Sequence, residues 1–183
     1  FAQVTADLLG LPFESVNVTL GDTDIVSAGG GTHSGRSMRH ASTVIALASG
    51  DLISKGEKLA AHIFGVPVEE VNFEDGIFRL ADRNVSLSWF DLAGRSNGPD
   101  IPVELRGDLK VRRDNEMHTP VFPNGACSCE IEIDIETGAL DIVRYATVDD
   151  VGRCINPLIV HGQTHGGIAQ GVGQAMWEEC HID

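Results

Sequence analysis

The run from Gly29 to Ser37, Gly-Gly-Gly-Thr-His-Ser-Gly-Arg-Ser, has the spacing of an anion cradle. Glycines free the backbone to turn successive N–H groups toward one point, which holds an anion without side chains. A helical pattern starts at Ser37, and a helix N-terminus adds about half a positive charge. Thr32, Ser34 and Ser37 offer hydroxyl donors, and Arg36 offers a fixed cation suited to phosphate. His33 lies inside the loop, so its backbone lines the same space whatever its imidazole does. The candidate phosphate-contacting set is therefore Gly30, Gly31, Thr32, His33, Ser34, Gly35, Arg36 and Ser37. The plainer alternative is a loop whose glycines only supply unusual backbone angles. No Gly-Lys-Ser/Thr follows, which excludes a P-loop, and Gly-x-Gly-x-x-Gly is out of register.

A second glycine-rich element lies near the other end. Asn156-Pro157 is a helix start, with Asn as N-cap and Pro at the first helical position. The helix predicted from there to Glu179 contains Gly162, Gly166, Gly167, Gly171 and Gly173. Each glycine costs up to about 1 kcal/mol relative to alanine. Close approach of another backbone, or of a bulky ligand, is the usual compensation. Gln163 sits among these small neighbours with its amide unobstructed, free to donate and accept together. On position alone a solvated surface residue, the commoner fate of glutamine, ranks ahead. His161 and His165 are four apart, but Gly162 stands where a zinc-protease helix needs Glu, so no metal is assigned to them.

Four motifs in order carry a family resemblance: Gly-Gly-Gly-Thr-His-Ser-Gly-Arg-Ser-Met-Arg at 29–39, Phe-Pro-Asn-Gly-Ala at 122–126, and two further runs. These are Val-Asp-Asp-Val-Gly-Arg-Cys-Ile-Asn-Pro at 148–157 and Gly-Gln-Thr-His-Gly-Gly-Ile-Ala-Gln-Gly-Val-Gly-Gln-Ala at 162–175. Together they resemble the molybdopterin-binding large subunit of the xanthine dehydrogenase family, which includes aldehyde oxidoreductases and aerobic carbon monoxide dehydrogenase. The resemblance spans nearly the whole chain and is weakest from about 95 to 120. In the carbon monoxide dehydrogenase form of the first loop, the counterparts of Ser34 and Gly35 stand in the opposite order.

The resemblance implies oxidative hydroxylation of an aldehyde, an N-heterocycle or carbon monoxide, with oxygen taken from water and a glutamate as general base. It implies a molybdenum–molybdopterin cofactor of the cytosine dinucleotide type, with its phosphate-bearing end at the Gly30–Ser37 loop and its pterin edge at Gln163. Implied partners are the rest of the molybdopterin subunit, and domains or subunits carrying FAD and two-iron, two-sulfur clusters. The family's catalytic glutamate falls beyond Asp183 and its substrate-selecting loops before Phe1, and neither Glu178 nor Glu179 fits that glutamate's motif. No catalytic residue is assigned. The chain opens on Phe1 inside a helical pattern and is several-fold shorter than the resembled subunit. The expectation is a piece of that subunit's C-terminal half, inert alone. Two rival readings stay open: a scaffold or assembly piece whose glycines serve helix packing, and another phosphate-ligand or nucleotide-binding enzyme.

The elements that position these residues have their own signatures. Residues 6–17 and 61–72 align at a constant offset of 55, each reading as a helix closed by glycine (Gly10, Gly65), a Pro turn and a strand. The first strand is expected at Val16–Leu20, just before the glycine loop. The fold class expected is α+β, with duplicated helix–strand units near 1–26 and 37–94 forming part of a molybdenum cofactor-binding domain. A loop at 95–120 and a hairpin with the glycine-rich helix at 121–183 complete it. Met38, Ala41, Ile45, Ala48, Leu52, Leu59 and Ile63 trace a core-facing helical stripe, with a break expected at Gly50-Asp51. Asp75-Gly76 and Glu136-Thr-Gly138 read as hairpin turns, and Ser88 caps a short helix, Trp89 to Ala93.

Composition excludes other classes. With 13 basic and 27 acidic residues the net charge is −14, which opposes non-specific nucleic-acid binding. The cluster Arg106, Lys110, Arg112 and Arg113 reads as a solvated surface in a poorly ordered loop. No apolar run is long enough to span a bilayer. The four cysteines show no Cys-x-x-Cys, and Cys127 and Cys129 alternate along a strand predicted to be half-buried, as structural thiols of a cytoplasmic protein.

Overall fold

The computed structural model describes residues 1–26, 31–107 and 109–181, which fall into two units, Phe1–Val121 and Phe122–Asp183. The architecture is mixed α+β. In the first unit, α1 (Ala2–Leu9) and α2 (Arg36–Phe64) both end on a left-handed glycine, Gly10 at φ 59° and Gly65 at φ 70°. Each then passes a proline into a single 3-10 turn, Phe13–Ser15 or Val68–Glu70. The 55-residue repeat is thus real at the level of cap and turn.

The copies then diverge. The second enters β1 (Val71–Glu74), which turns through Asp75 and Gly76, at φ 46° and 78°, into β2 (Ile77–Leu80). Both positive φ values are what a two-residue hairpin loop demands. A third strand, β3 (Ser86–Ser88), pairs antiparallel with β2, giving the order β1-β2-β3. The first copy forms no strand: Val16–Leu20 pairs with nothing among the described residues, and Val18 and Leu20 are 45% and 70% exposed. A strand is stable only where a neighbour takes up its backbone N–H and C=O groups.

The core of this unit lies where the second half of α2 meets the sheet and α3 (Trp89–Arg95). Phe78, Leu59, Leu92 and Ile101 are its largest fully buried side chains. The Trp89 ring meets Phe78 edge-on at 4.7 Å between centroids and Phe73 at 5.5 Å. Gly56 of α2 faces this cluster, and a Cβ there would stand 2.7 Å from Phe78 Cε1 and 3.1 Å from Trp89 Cζ3. Trp89 Nε1 donates to the Leu9 carbonyl at 2.8 Å, fixing the end of α1. Ser88 and Asp91 form a reciprocal capping box on α3.

Three expectations need correction here. α2 runs unbroken through Gly50-Asp51, since one glycine in a long helix costs only about 1 kcal/mol. The apolar stripe is core only in its second half: Leu59 is buried and Leu52 and Ile63 pack against the core, while Met38, Ala41, Ile45 and Ala48 are half-exposed. The segment after residue 95 is docked as well as solvated. Ile101 is 1% exposed, Arg106 donates to the Ile101 carbonyl at 2.8 Å, and Arg113 grips the Asp51 carboxylate through two nitrogens.

The second unit is a long hairpin, β4 (Asn124–Ile133) with β5 (Leu140–Asp150), followed by α4 (Pro157–Met176). Asp134 accepts from the Glu136 and Thr137 amides to close the hairpin turn, and these bonds hold its carboxyl below the ordinary range. Asn156 Oδ1 accepts from the Ile159 amide at 3.2 Å, and Pro157 opens the helix. The helix ends at Met176, one turn short of the expected Glu179. No described residue of this unit is buried. Among the described residues no helix is long and apolar enough to cross a membrane.

Candidate functional site

Gly29 and Gly30 lie outside the described residues, so the cradle is seen from Gly31 onward. Gly31 sits at φ 71° and Ser34 at φ 47°, a left-handed conformation that few serines adopt. Gly35 follows at φ −79° as N-cap of α2, and the first helical residue is Arg36, one earlier than the pattern predicts. A change of backbone hand between adjacent residues turns successive N–H groups to one side. The helix start has no side-chain cap and no acidic residue in its first turn, so its positive end is uncompensated.

Residues Gly31, Thr32, His33, Ser34 and Gly35 are exposed, and Arg36 and Ser37 are half-buried. No hydrogen bond among the described residues engages the Thr32, Ser34 or Ser37 hydroxyls. Arg36 Nη1 lies 3.4 Å from His33 Nε2. A guanidinium has no acceptor, so the imidazole nitrogen is the accepting partner. One turn further, Arg39 Nη1 donates to the Thr119 carbonyl at 2.7 Å, while Arg39 Nε and Ser42 Oγ are buried without a partner. Sequence reasoning passed over Arg39 and Ser42, although their i, i+3 spacing from Arg36 was available as a signal.

Gln163 belongs to the second unit. It lines an open groove of about 970 Å³ between one face of α4 and the β4–β5 hairpin. Gln163, Gly167, Gly171 and Ala175 contribute a stripe at four-residue spacing. Gly167 and Gly171 leave the helix wall flat, and a Cβ at Gly162, Gly166, Gly167 or Gly171 would meet nothing within 4 Å. Close approach of another backbone therefore does not account for these four glycines among the described residues. Only Gly173 has a near neighbour, Glu178 Oε1 at 3.1 Å.

Across the groove, Asn124, Cys127, Cys129, Tyr145, Thr147 and Asp149 add polar groups, and α4 adds Thr164. Cys127 and Cys129 do share a face, as their alternation predicts, but both thiols are exposed, because nothing within this unit covers that face of the strand. Their burial as structural thiols is a correction. A hydrogen bond with Cys127 is the main cause that raises the Tyr145 phenol above its ordinary range. Thr164 and Tyr145 escaped sequence reasoning, although their helix and strand periodicity marks the same faces as Gln163 and Cys129.

These two surfaces, an uncapped helix start with free hydroxyls and a groove mixing amide, hydroxyl and apolar lining, belong to a recognisable class of domain. A family model described as the molybdopterin cofactor-binding domain matches residues 1–183, and the chain belongs to that family. The carbon monoxide dehydrogenase large chain of Hydrogenophaga pseudoflava is 32% identical over 184 residues, covering 100% of this chain and 23% of its own length. The nicotine 6-hydroxylase large subunit of Paenarthrobacter nicotinovorans is 31% identical over 185 residues with the same coverage. The solved structure of reconstituted carbon monoxide dehydrogenase from Oligotropha carboxidovorans superposes at TM-score 0.89 and 31% identity, over 100% of this chain and 23% of that one. The chain thus spans less than a quarter of the relatives it matches.

The residues present fit such a cofactor. Its phosphates need donors and positive potential, which the Gly31–Ser37 loop supplies. A pterin edge needs donors and acceptors side by side beside flat walls, which Gln163, Thr164 and the glycines of α4 supply. Among the described residues no group of three or more His, Cys, Asp and Glu side chains is arranged to hold a metal directly.

Proposed function

We propose that the chain is part of the large subunit of a molybdenum hydroxylase that oxidises an aldehyde, an N-heterocycle or carbon monoxide. The observation that carries this reading is the fit of all 183 residues to the molybdopterin cofactor-binding domain. Bound molybdopterin supplies two-electron redox chemistry at its metal. The chain's own residues bind and orient. Backbone N–H groups from Gly31 to Ser37, with the Thr32 and Ser34 hydroxyls, hold the phosphate-bearing end, and Arg36 exchanges its long contact with His33 for a phosphate oxygen. Gln163 pairs with the pterin edge, and the open face of α4 at Gly167 and Gly171 receives the flat ring. Each assignment rests on the geometry of its own unit.

A cradle of backbone donors, hydroxyls and Arg36 suits a pyrophosphate better than a single phosphate, which favours a dinucleotide form of the cofactor, and the family resemblance implies that its base is cytosine. Electrons pass to FAD and two-iron, two-sulfur clusters on partner domains or subunits. Four unpaired thiols, Cys127, Cys129, Cys154 and Cys180, favour the reducing cytoplasm. The test is molybdenum and pterin analysis of the intact subunit, as wild type and as Arg36→Ala. Stoichiometric molybdenum with a pterin dinucleotide is expected in the wild type. Loss of one charge-assisted contact in the variant should weaken retention by about 1.5–3 kcal/mol. Absence of molybdenum from the wild type would favour a scaffold or another phosphate-binding enzyme.

A further inference from the structure

The strand wall of the groove in the second unit carries chemistry that binding a pterin edge does not use. Cys127 and Cys129 stand two residues apart on one face of β4, opposite Thr147 and Tyr145 of β5. Both line the groove, and both thiols are free and exposed. We infer that this thiol pair is a binding site for a soft, thiophilic divalent cation of the zinc and cadmium class, held by two thiolates with its remaining positions open to the groove.

Donor chemistry and charge are the first reason. Thiolate sulfur selects soft cations over magnesium or calcium. No Lys, Arg or His stands among the described residues that line the groove, and its one carboxylate is Asp149. A concave space with an acidic group and no basic one draws cations in. Thr147 Oγ1 donates to Asp149 Oδ2 at 3.2 Å, which holds that carboxylate beside the residue directly opposite Cys127. Tyr145 makes a hydrogen bond with Cys127. An outer partner of this kind orients a metal-bound ligand.

Geometry is the second reason, and it separates chelation from oxidation. Residues two apart on a strand lie about 6.4–6.8 Å apart, and their side chains leave the pleat side by side. A disulfide needs Cβ atoms at about 3.8 Å, which side-by-side positions meet only by distorting the strand. A cation bonded to each sulfur at about 2.3 Å spans up to about 4.6 Å between them, which the two side chains reach by leaning together. The ladder is regular at both cysteines, with its register shift further on at Glu130/Ile131. No group of three or more His, Cys, Asp and Glu among the described residues is arranged around a metal. Asp149 therefore acts through its charge, and water completes an open, exchangeable coordination shell.

The test uses the full-length subunit prepared free of cofactor, so that nothing else occupies the groove. Cadmium ion is titrated in while the ultraviolet thiolate-to-cadmium charge-transfer band is followed. Wild type should take up the ion and release protons as the two thiols become thiolates. Cys127→Ser and Cys129→Ser should each lose one equivalent of the band, whereas Cys154→Ser and Cys180→Ser should titrate as wild type. A second measurement needs no variant. Phenylarsine oxide joins two neighbouring thiols through two arsenic–sulfur bonds and releases one water, and mass spectrometry of a digest should find one arsenical bridging Cys127 and Cys129. Wild-type cadmium uptake in Cys127→Ser or Cys129→Ser overturns the inference. So does a wild type without the band, or an arsenical that never bridges the pair. With cofactor absent throughout, either failure leaves the molybdopterin reading untouched.

Discussion

The two units use glycine in opposite ways. In Phe1–Val121, Gly56 exists because Phe78 and Trp89 occupy the space its side chain would fill, and Gly10 lies directly against Gly76 of the β1–β2 turn. In Phe122–Asp183, Gly162, Gly166, Gly167 and Gly171 of α4 have nothing within reach. Ten described apolar residues of the first unit are buried, while no described residue of the second is. Glycine against a packed core is part of folding. Glycine on an open helix face weakens the helix without a return from within the unit, so its compensation must come from what the face receives.

The largest expected effect is at the centre of the packed unit. Phe78→Ala removes a fully buried ring from the Phe73–Trp89 cluster and should cost about 3–5 kcal/mol, read as a lowered midpoint in denaturant. A cost below about 1 kcal/mol would mean the core lies elsewhere.

Paired alanines then split the comparison. Gly56→Ala should destabilise by about 1–3 kcal/mol through overpacking against Phe78 and Trp89. Gly166→Ala, off the groove and with open space around it, should stabilise α4 by up to about 1 kcal/mol. If both destabilise equally, the face at Gly166 is packed in the full subunit and the contrast fails.

At Gln163 the effect is on binding. Gln163→Ala should leave melting unchanged but loosen the cofactor by about 1–3 kcal/mol, as unpaired ring donors and acceptors would. Unchanged molybdenum content and turnover would return Gln163 to the solvated surface.

The smallest effect is electrostatic. The Arg113 guanidinium holds the Asp51 carboxyl below its ordinary value, so the folded state binds fewer protons than the unfolded one. The ion pair therefore stabilises fully above the unfolded carboxylate pKa, and its contribution fades as pH falls through the lower folded value. Arg113→Ala should remove this small contribution at neutral pH, leave stability at low pH nearly unaffected, and so flatten the acid limb of a stability–pH curve.

What could be read from the chain alone was local. Gly10 and Gly65 as caps, Asp75-Gly76 as a hairpin turn, and Asn156-Pro157 as a helix start each follow from chemistry within about four residues. Strand status at Val16–Leu20 depends on a partner that no local pattern contains, and Ser86–Ser88 is too short to show a period. The docking of Ile101 and the pairing of Arg113 with Asp51 join residues far apart in sequence, so the cluster at 106–113 looked merely solvated. The candidate site was legible in its glycines and in Gln163. The groove-facing roles of Thr164 and Tyr145 needed the hairpin and helix to be set in place together.

The most direct test is Gly167→Leu in the full-length subunit, measured as molybdenum and pterin per polypeptide alongside far-ultraviolet circular dichroism. Leucine is a better helix former than glycine and its Cβ would meet nothing within 4 Å, so α4 should form at least as well. If the open face receives the cofactor, the added side chain fills the groove and molybdenum should fall well below wild type with the fold intact. Wild-type molybdenum and pterin in the folded variant would contradict the account.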